Sequence, residues 1–209
     1  MTSLSLSAAI DWNNFNSSLL IEVTRPSGVF TCSGVAINQQ TVATAAHCLE
    51  GEILNIRIFN QMSYNPKAAY WQVEKFELHP DYNSKKSNFK NDIAKIKLKS
   101  PLPPSTKFYP IAKKLDSENG NIFRLGFGAR TNKNIRTLVT PLFKSLCPVT
   151  NILELHDMYS YSGDSGGPVF VQNKGQVYLL AIHSTLSYGP EGKYSFNPLL
   201  TNHKSWMEN

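Results

Sequence analysis

A chain of 209 residues, 41% hydrophobic and 17% charged, is long enough to bury a substantial core in one domain or two packed halves, and its composition excludes a disordered polymer. Its formal net charge of +6 includes Lys85, Lys86, Lys90, Lys95, Lys97 and Lys99, spread through loop and strand, which is the pattern of a solvated surface. No nucleic-acid module with interleaved aromatics and no apolar run of membrane-spanning length is present, so neither nucleic acid nor membrane is an expected partner.

The opening MTSLSLSAAI lacks the basic start and long apolar core of a secretory leader. Residues 19–23 (LLIEV) and 29–37 (VFTCSGVAI) read as strands joined by a turn at Arg25-Pro26-Ser27-Gly28. Thr41–Thr44 leads into Ala45-Ala46-His47-Cys48, and runs at 53–59 and 70–78 read as further strands, the second broken by His79-Pro80-Asp81-Tyr82-Asn83. Asn91-Asp92 opens the alternating run Ile93–Leu98. Pro101, Pro103 and Pro104 then suit a connection between halves.

A second set of strands begins at 122–128 and continues at 136–143, 168–172 and 176–183. Only the tail, about 199–207, carries helical spacing in Leu199, Leu200, His203 and Trp206. Many short strands with little helical periodicity predict an all-β protein. The expected organisation is an N-terminal half over 1–104 carrying His47 and Asp92, and a C-terminal half over 105–209 carrying Ser165 and ending in a short helix.

The stretch Tyr161-Ser162-Gly163-Asp164-Ser165-Gly166-Gly167-Pro168 describes a tight turn that presents a hydroxyl before a buried strand. A serine needs a base and an orienting acid to act as a nucleophile. The G-x-S-x-G pattern also fits the elbow of α/β-hydrolases, where acid and histidine follow the serine. No aspartate follows Ser165, and only Glu191 with His203 could serve there; upstream, His47 and Asp92 are better placed.

ATAAHC, NDIAKIKL and GDSGGP, in that order, together closely resemble the chymotrypsin-like (trypsin-fold) serine proteases. The CSG segment at Cys32, HPDYN at 79–83, Gly126-Phe127-Gly128 and the tail around Trp206 extend the likeness over most of the chain. The resemblance implies two packed antiparallel β-barrels with a short C-terminal helix. It also implies a Ser165–His47–Asp92 triad and an oxyanion hole from the N–H groups of Gly163 and Ser165.

The resemblance further implies a Cys32–Cys48 disulfide, leaving Cys147 as a buried or idle thiol, and Asp164 as the residue that pairs with an N-terminus released by cleavage, here near Ile10. Tyr161 and Val171 stand where other members often carry cysteines, a trimmed pattern similar to bacterial members. A disulfide favours an extracellular or periplasmic location after loss of a leader, with the cytoplasm as the alternative.

The position six before the nucleophile is Tyr159 rather than an acid, which disfavours cleavage after Arg or Lys. Ala181-Ile182-His183-Ser184 is similar to the pocket segment of glutamyl endopeptidases, and Ser160 and Ser162 stand at the family positions that supply hydroxyls to it. The resemblance therefore implies Glu at P1, the residue before the cleaved bond, with Ser184 near Asp92. A plain core histidine at 183 with a non-acidic P1 preference, and an inactive protease fold used as a binding module, are the alternatives. A monomer acting on protein or peptide, with no cofactor and no metal, is expected.

Overall fold

The computed structural model describes residues 15–85, 89–113, 120–130, 133–147 and 150–208. Ile10 lies outside them. Six strands, β1 (Ser18–Arg25), β2 (Gly28–Ala36), β3 (Thr41–Thr44), β4 (Asn55–Phe59), β5 (Trp71–Leu78) and β6 (Ala94–Leu98), close into an antiparallel barrel in the order β1-β2-β3-β6-β5-β4. Closure pairs β4 back onto β1 and removes the free sheet edges. In β6 the alternation is strict, with Ala94, Ile96 and Leu98 fully buried between partly exposed lysines.

Strand β1 is buried on both faces for most of its length. Leu19, Ile21 and Val23 join the main core, while Leu20 packs with Phe59 and Phe127. Glu22 shares that second face and is 2% exposed, and the Arg57 guanidinium across the β1–β4 ladder takes both its oxygens at 2.6 and 2.8 Å. Burial alone would raise the Glu22 carboxyl; Arg57 and the Tyr64 hydroxyl more than offset it and lower its pKa.

The C-terminal half comprises two four-stranded antiparallel sheets and a two-stranded ribbon rather than one continuous ladder. One sheet, β10-β7-β13-β14, uses β10 (Thr137–Val139), β7 (Asn121–Gly126), β13 (Pro168–Asn173) and β14 (Gln176–Ile182). The other, β11-β12-β16-β15, uses β11 (Leu142–Cys147), β12 (Ile152–His156), β16 (Gly192–Pro198) and β15 (Thr185–Gly189). The ribbon is β8 (Ala129–Arg130) with β9 (Lys133–Asn134).

The expected single strand over 136–143 is split between these two sheets at Pro141, whose missing N–H cannot serve a ladder. Cys147 ends β11 exposed to solvent, so of the expected buried or idle thiol the buried alternative does not hold.

The predicted tail helix begins as a 3-10 turn, Leu200–His203, and only then becomes α1 (Lys204–Glu208). It returns to the barrel: His203 Nδ1 lies 3.1 Å from His79 Nε2, and Lys95 Nζ donates to Trp206 O at 3.1 Å. The main core likewise runs from Leu19 and Ile21 of the barrel through Phe123 and Phe170 to Leu200. Both packings join the barrel to the sheets that follow it.

Candidate active site

His47 sits on a 3-10 turn, Ala46–Leu49, directly after β3. Ala43, Ala45 and Ala46 are fully buried, so the small residues of ATAAHC let the chain pass through packed space to present the imidazole. The Cys32–Cys48 disulfide ties this turn to β2 across 16 residues, a closure worth about 3 kcal/mol on the chain-entropy argument. The two sulfurs and the His47 ring lie within 4.8 Å of one another, but sulfurs bonded to each other are not thiolate ligands.

Asp92, 2% exposed, is held just ahead of β6. Its Oδ2 lies 2.7 Å from His47 Nδ1 and its Oδ1 accepts the His47 backbone N–H at 2.8 Å. The Ser184 hydroxyl donates to the same Oδ2. Burial pushes the Asp92 carboxyl up, but His47 and Ser184 outweigh it and lower its pKa, keeping a carboxylate. With Nδ1–H donated to that carboxylate, Nε2 of neutral His47 is left as the proton acceptor.

Ser165 stands on the turn before β13 and lines the same cavity as His47 and Asp92. Its hydroxyl donates to Ser184 O at 3.3 Å, and its carbonyl accepts from Ser33 N at 2.7 Å. Gly163 has φ +98 and Gly166 φ +83, both in the left-handed region, so the turn requires glycine there. Among the described residues neither the Gly163 nor the Ser165 N–H donates to a protein acceptor.

Beneath that turn Asp164 is wholly buried, accepting from Gly128 N at 2.7 Å and Tyr161 N at 3.0 Å. Arg124 of β7, also wholly buried, places Nη1 3.1 Å from Asp164 Oδ2 in an ion pair and grips Asp157 with Nε and Nη2. Burial lowers the arginine's pKa and the two carboxylates more than restore it, so it is raised.

His183 continues the β13–β14 ladder past its end: its N–H donates to Gly167 O at 2.8 Å and its carbonyl accepts from Gly166 N at 2.7 Å. The side chain is 2% exposed, with Nδ1 3.1 Å from Asn197 Oδ1 and Nε2 2.9 Å from Ser160 Oγ. Asn197 commits its amide nitrogen to Leu153 O and Ser195 Oγ, so its oxygen accepts the Nδ1–H and Nε2 accepts the Ser160 hydroxyl. His47, Ser162, Ser165, His183 and Ser184 all line one cavity of about 470 Å³. Tyr159, by contrast, is 65% exposed and is not among the residues lining it.

The family model for trypsin matches residues 13–207. The chain belongs to the trypsin family. Phenoloxidase-activating factor 3 of Holotrichia diomphalia is 26% identical over 90% of this chain and 67% of its own length. Coagulation factor IX of Cavia porcellus is 28% identical over 84% and 71%. The CLIP domain-containing serine protease B4 of Anopheles gambiae is 25% identical over 82% of this chain but 59% of its own.

Of the trypsin-family residues expected from the sequence, the structure brings His47, Asp92, Ser184 and Ser165 to one cleft and joins Ser160 to His183. The rival pair is dispersed: Glu191 accepts from Tyr194 OH at 2.9 Å, and His203 meets His79. Sequence reasoning missed Ser33, whose hydroxyl donates to Gly163 O at 2.7 Å and accepts Phe127 N at 2.8 Å, linking β2 to the serine turn. It also missed Arg124, Asp157, Asn197 and Lys193. An arginine amid the apolar residues of IFRLGF was a readable signal for a buried ion pair.

Burial lowers the pKa of His183 from 6.5 to about 4, with the Arg124 charge adding to it, and lowers His203 to about 4 by burial and the neighbouring His79. As pH falls from 6.5 toward 4 the unfolded chain takes up protons that these native imidazoles refuse, so stability falls. His183 alone accounts for about 3 kcal/mol. The urea midpoint is expected to drop clearly between pH 7 and pH 4.5; an unchanged midpoint would contradict these neutral buried histidines.

Proposed function

We propose that the chain is a serine endopeptidase in which Ser165 attacks the scissile carbonyl, His47 moves the proton and Asp92 orients the imidazole. The observation that carries this is the His47 Nδ1–Asp92 pair at 2.7 Å, which leaves Nε2 as a base in the cleft lined by Ser165. The Gly163 and Ser165 N–H groups receive the oxyanion. Stoichiometric labelling of Ser165 by a fluorophosphonate, lost in Ser165→Ala, is the expected result; an unlabelled, folded protein would leave a binding module as the reading. The Cys32–Cys48 disulfide beside His47 and the likeness to proteases such as that of Anopheles gambiae favour an extracellular setting and a protein substrate.

For the residue before the cleaved bond we infer an acidic preference, Glu foremost. His183, with Ser162, lines the cavity beside Ser165, and Lys193 Nζ donates at 3.4 Å to the carbonyl of Ser160, the residue whose hydroxyl meets His183 Nε2. Neutral His183 holds its proton on Nδ1, so a substrate carboxylate at Nε2 is received with uptake of a proton. Turnover of Glu relative to Gln substrates is therefore expected to fall as pH rises.

A P1 library should show Glu favoured by the wild type, with that preference reduced about tenfold or more in His183→Ala, the scale of a lost charged hydrogen bond. The second reading, an uncharged P1 residue, is favoured by the occupation of both His183 nitrogens by Asn197 and Ser160. A profile led by basic or bulky aromatic residues would remove the acidic one.

A further inference from the structure

We propose that the Ser33 hydroxyl is a positioning group for the oxyanion donors, holding Gly163 in the conformation that catalysis uses. The inference rests on the reading of Ser165 as nucleophile and of the Gly163 and Ser165 N–H groups as the receivers of the oxyanion. Ser33 follows Cys32 on β2, is wholly buried, and touches both of those residues. Its N–H donates to Ser165 O at 2.7 Å, and its hydroxyl donates to Gly163 O at 2.7 Å. The first bond needs only backbone; the second exists because residue 33 is a serine.

The hydroxyl is itself held. It accepts Phe127 N at 2.8 Å, and Phe127 O in turn accepts Asn134 Nδ2 at 2.7 Å. A hydroxyl carries a single proton, so with the Phe127 N–H on one of its lone pairs that proton is directed to Gly163 O. The Ser33 carbonyl accepts the Thr44 hydroxyl at 2.8 Å. Ser33 is thus anchored to the end of β3 and to the Gly126-Phe127-Gly128 turn as well as to the serine turn.

Gly163 is the residue that most needs such a hold. With φ +98 it occupies a region from which glycine has many alternatives, and rotation about its bonds turns the peptide planes on either side. Each plane is fixed through its oxygen. Ser162 O accepts Ala129 N at 3.0 Å, and because a trans peptide sets C=O and N–H on opposite sides, the Gly163 N–H is turned away from Ala129. Gly163 O is fixed by Ser33. The approach is close: a Cβ on Gly166 would lie 2.2 Å from Ser33 O, and one on Gly167 3.2 Å from Ser33 Cβ. Glycines at 166 and 167 let the serine turn sit against Ser33.

Ser33→Ala removes the hydroxyl and leaves the backbone bond to Ser165 O. The expected result is a fall in kcat of about tenfold or more on a peptide substrate with KM within about twofold, because the lost interaction acts on the transition state alone. Ser33→Gly removes the same hydroxyl without burying a methyl; it keeps the test open should the alanine variant fail to fold, and it should show the same split. Wild-type kcat in these variants would overturn the inference while leaving the serine-protease reading intact. A wild type silent toward both substrate and fluorophosphonate would overturn both.

A peptidyl trifluoromethyl ketone gives a readout that a merely structural role would not move. Ser165 Oγ adds to its carbonyl carbon, the Ser165 proton passes to His47, and the former carbonyl oxygen becomes a hemiketal oxygen in the place of the oxyanion. The fluorine resonance, followed against pH, reports whether that oxygen is ionised. In Ser33→Ala or Ser33→Gly it should ionise about one pH unit or more higher than in the wild type, the equivalent of a tenfold loss in oxyanion stabilisation. An unshifted hemiketal titration would overturn the positioning role even with kcat lowered, because the loss would then come from the fold at large.

Discussion

Replacing Ser165 with alanine is expected to lower kcat about a million-fold, with circular dichroism and thermal midpoint unchanged. The side chain removed is only partly buried and its hydroxyl makes one long bond, to Ser184 O at 3.3 Å, so little stability depends on it. Without it His47 has no nucleophile to deprotonate. His47→Ala should cost a comparable factor, because a serine without its base is a weak nucleophile at neutral pH.

The double variant should then be hardly worse than either single one, since groups that act as a unit lose their function together. The residual rate, about 10³-fold or more over water, would come from the Gly163 and Ser165 donors and from binding. Progress curves at high enzyme concentration measure all three. Additive losses would mean that Ser165 and His47 do not act in one step.

Asp92→Asn should lower kcat about ten-thousandfold near neutral pH while the fold persists. The present carboxylate accepts three hydrogen bonds, from His47 Nδ1, His47 N and Ser184 Oγ. An amide of the same shape keeps one oxygen for the backbone N–H but turns an N–H toward Nδ1. His47 would then hold its proton on Nε2, the atom that must receive the proton of Ser165. Retention of more than a tenth of wild-type kcat would show that Asp92 does not set the tautomer. The KM should move little, because Asp92 is 2% exposed behind His47.

The residues of the candidate triad were readable because each stands in a short segment whose local chemistry is distinctive: small residues before His47, an acid before an alternating strand, and glycines around Ser165. Their order along the chain excluded the α/β-hydrolase elbow. Other parts were not readable for definite reasons. Strand β12 follows the exposed end of β11, and the β15–β16 hairpin, turning at Gly189-Pro190-Glu191-Gly192, carries few apolar residues. Pro141 could have divided the run at 136–143, since proline cannot donate to a ladder.

The amino-acid sequence by itself determined the all-β class, the family and the three residues proposed for catalysis, because these depend on alternation, turn glycines and spacing that act over a few residues. Only the tertiary structure decided what surrounds them. Arg124, Asp157 and Asp164 are 33 and 40 residues apart along the chain from the arginine, yet they share one buried site beneath the serine turn. Ser33 and Asn197 are ordinary polar residues until folding places one under Gly163 and the other against His183. Such roles follow from burial, where a charge or hydroxyl must find a partner, and burial is a property of the packed chain as a whole.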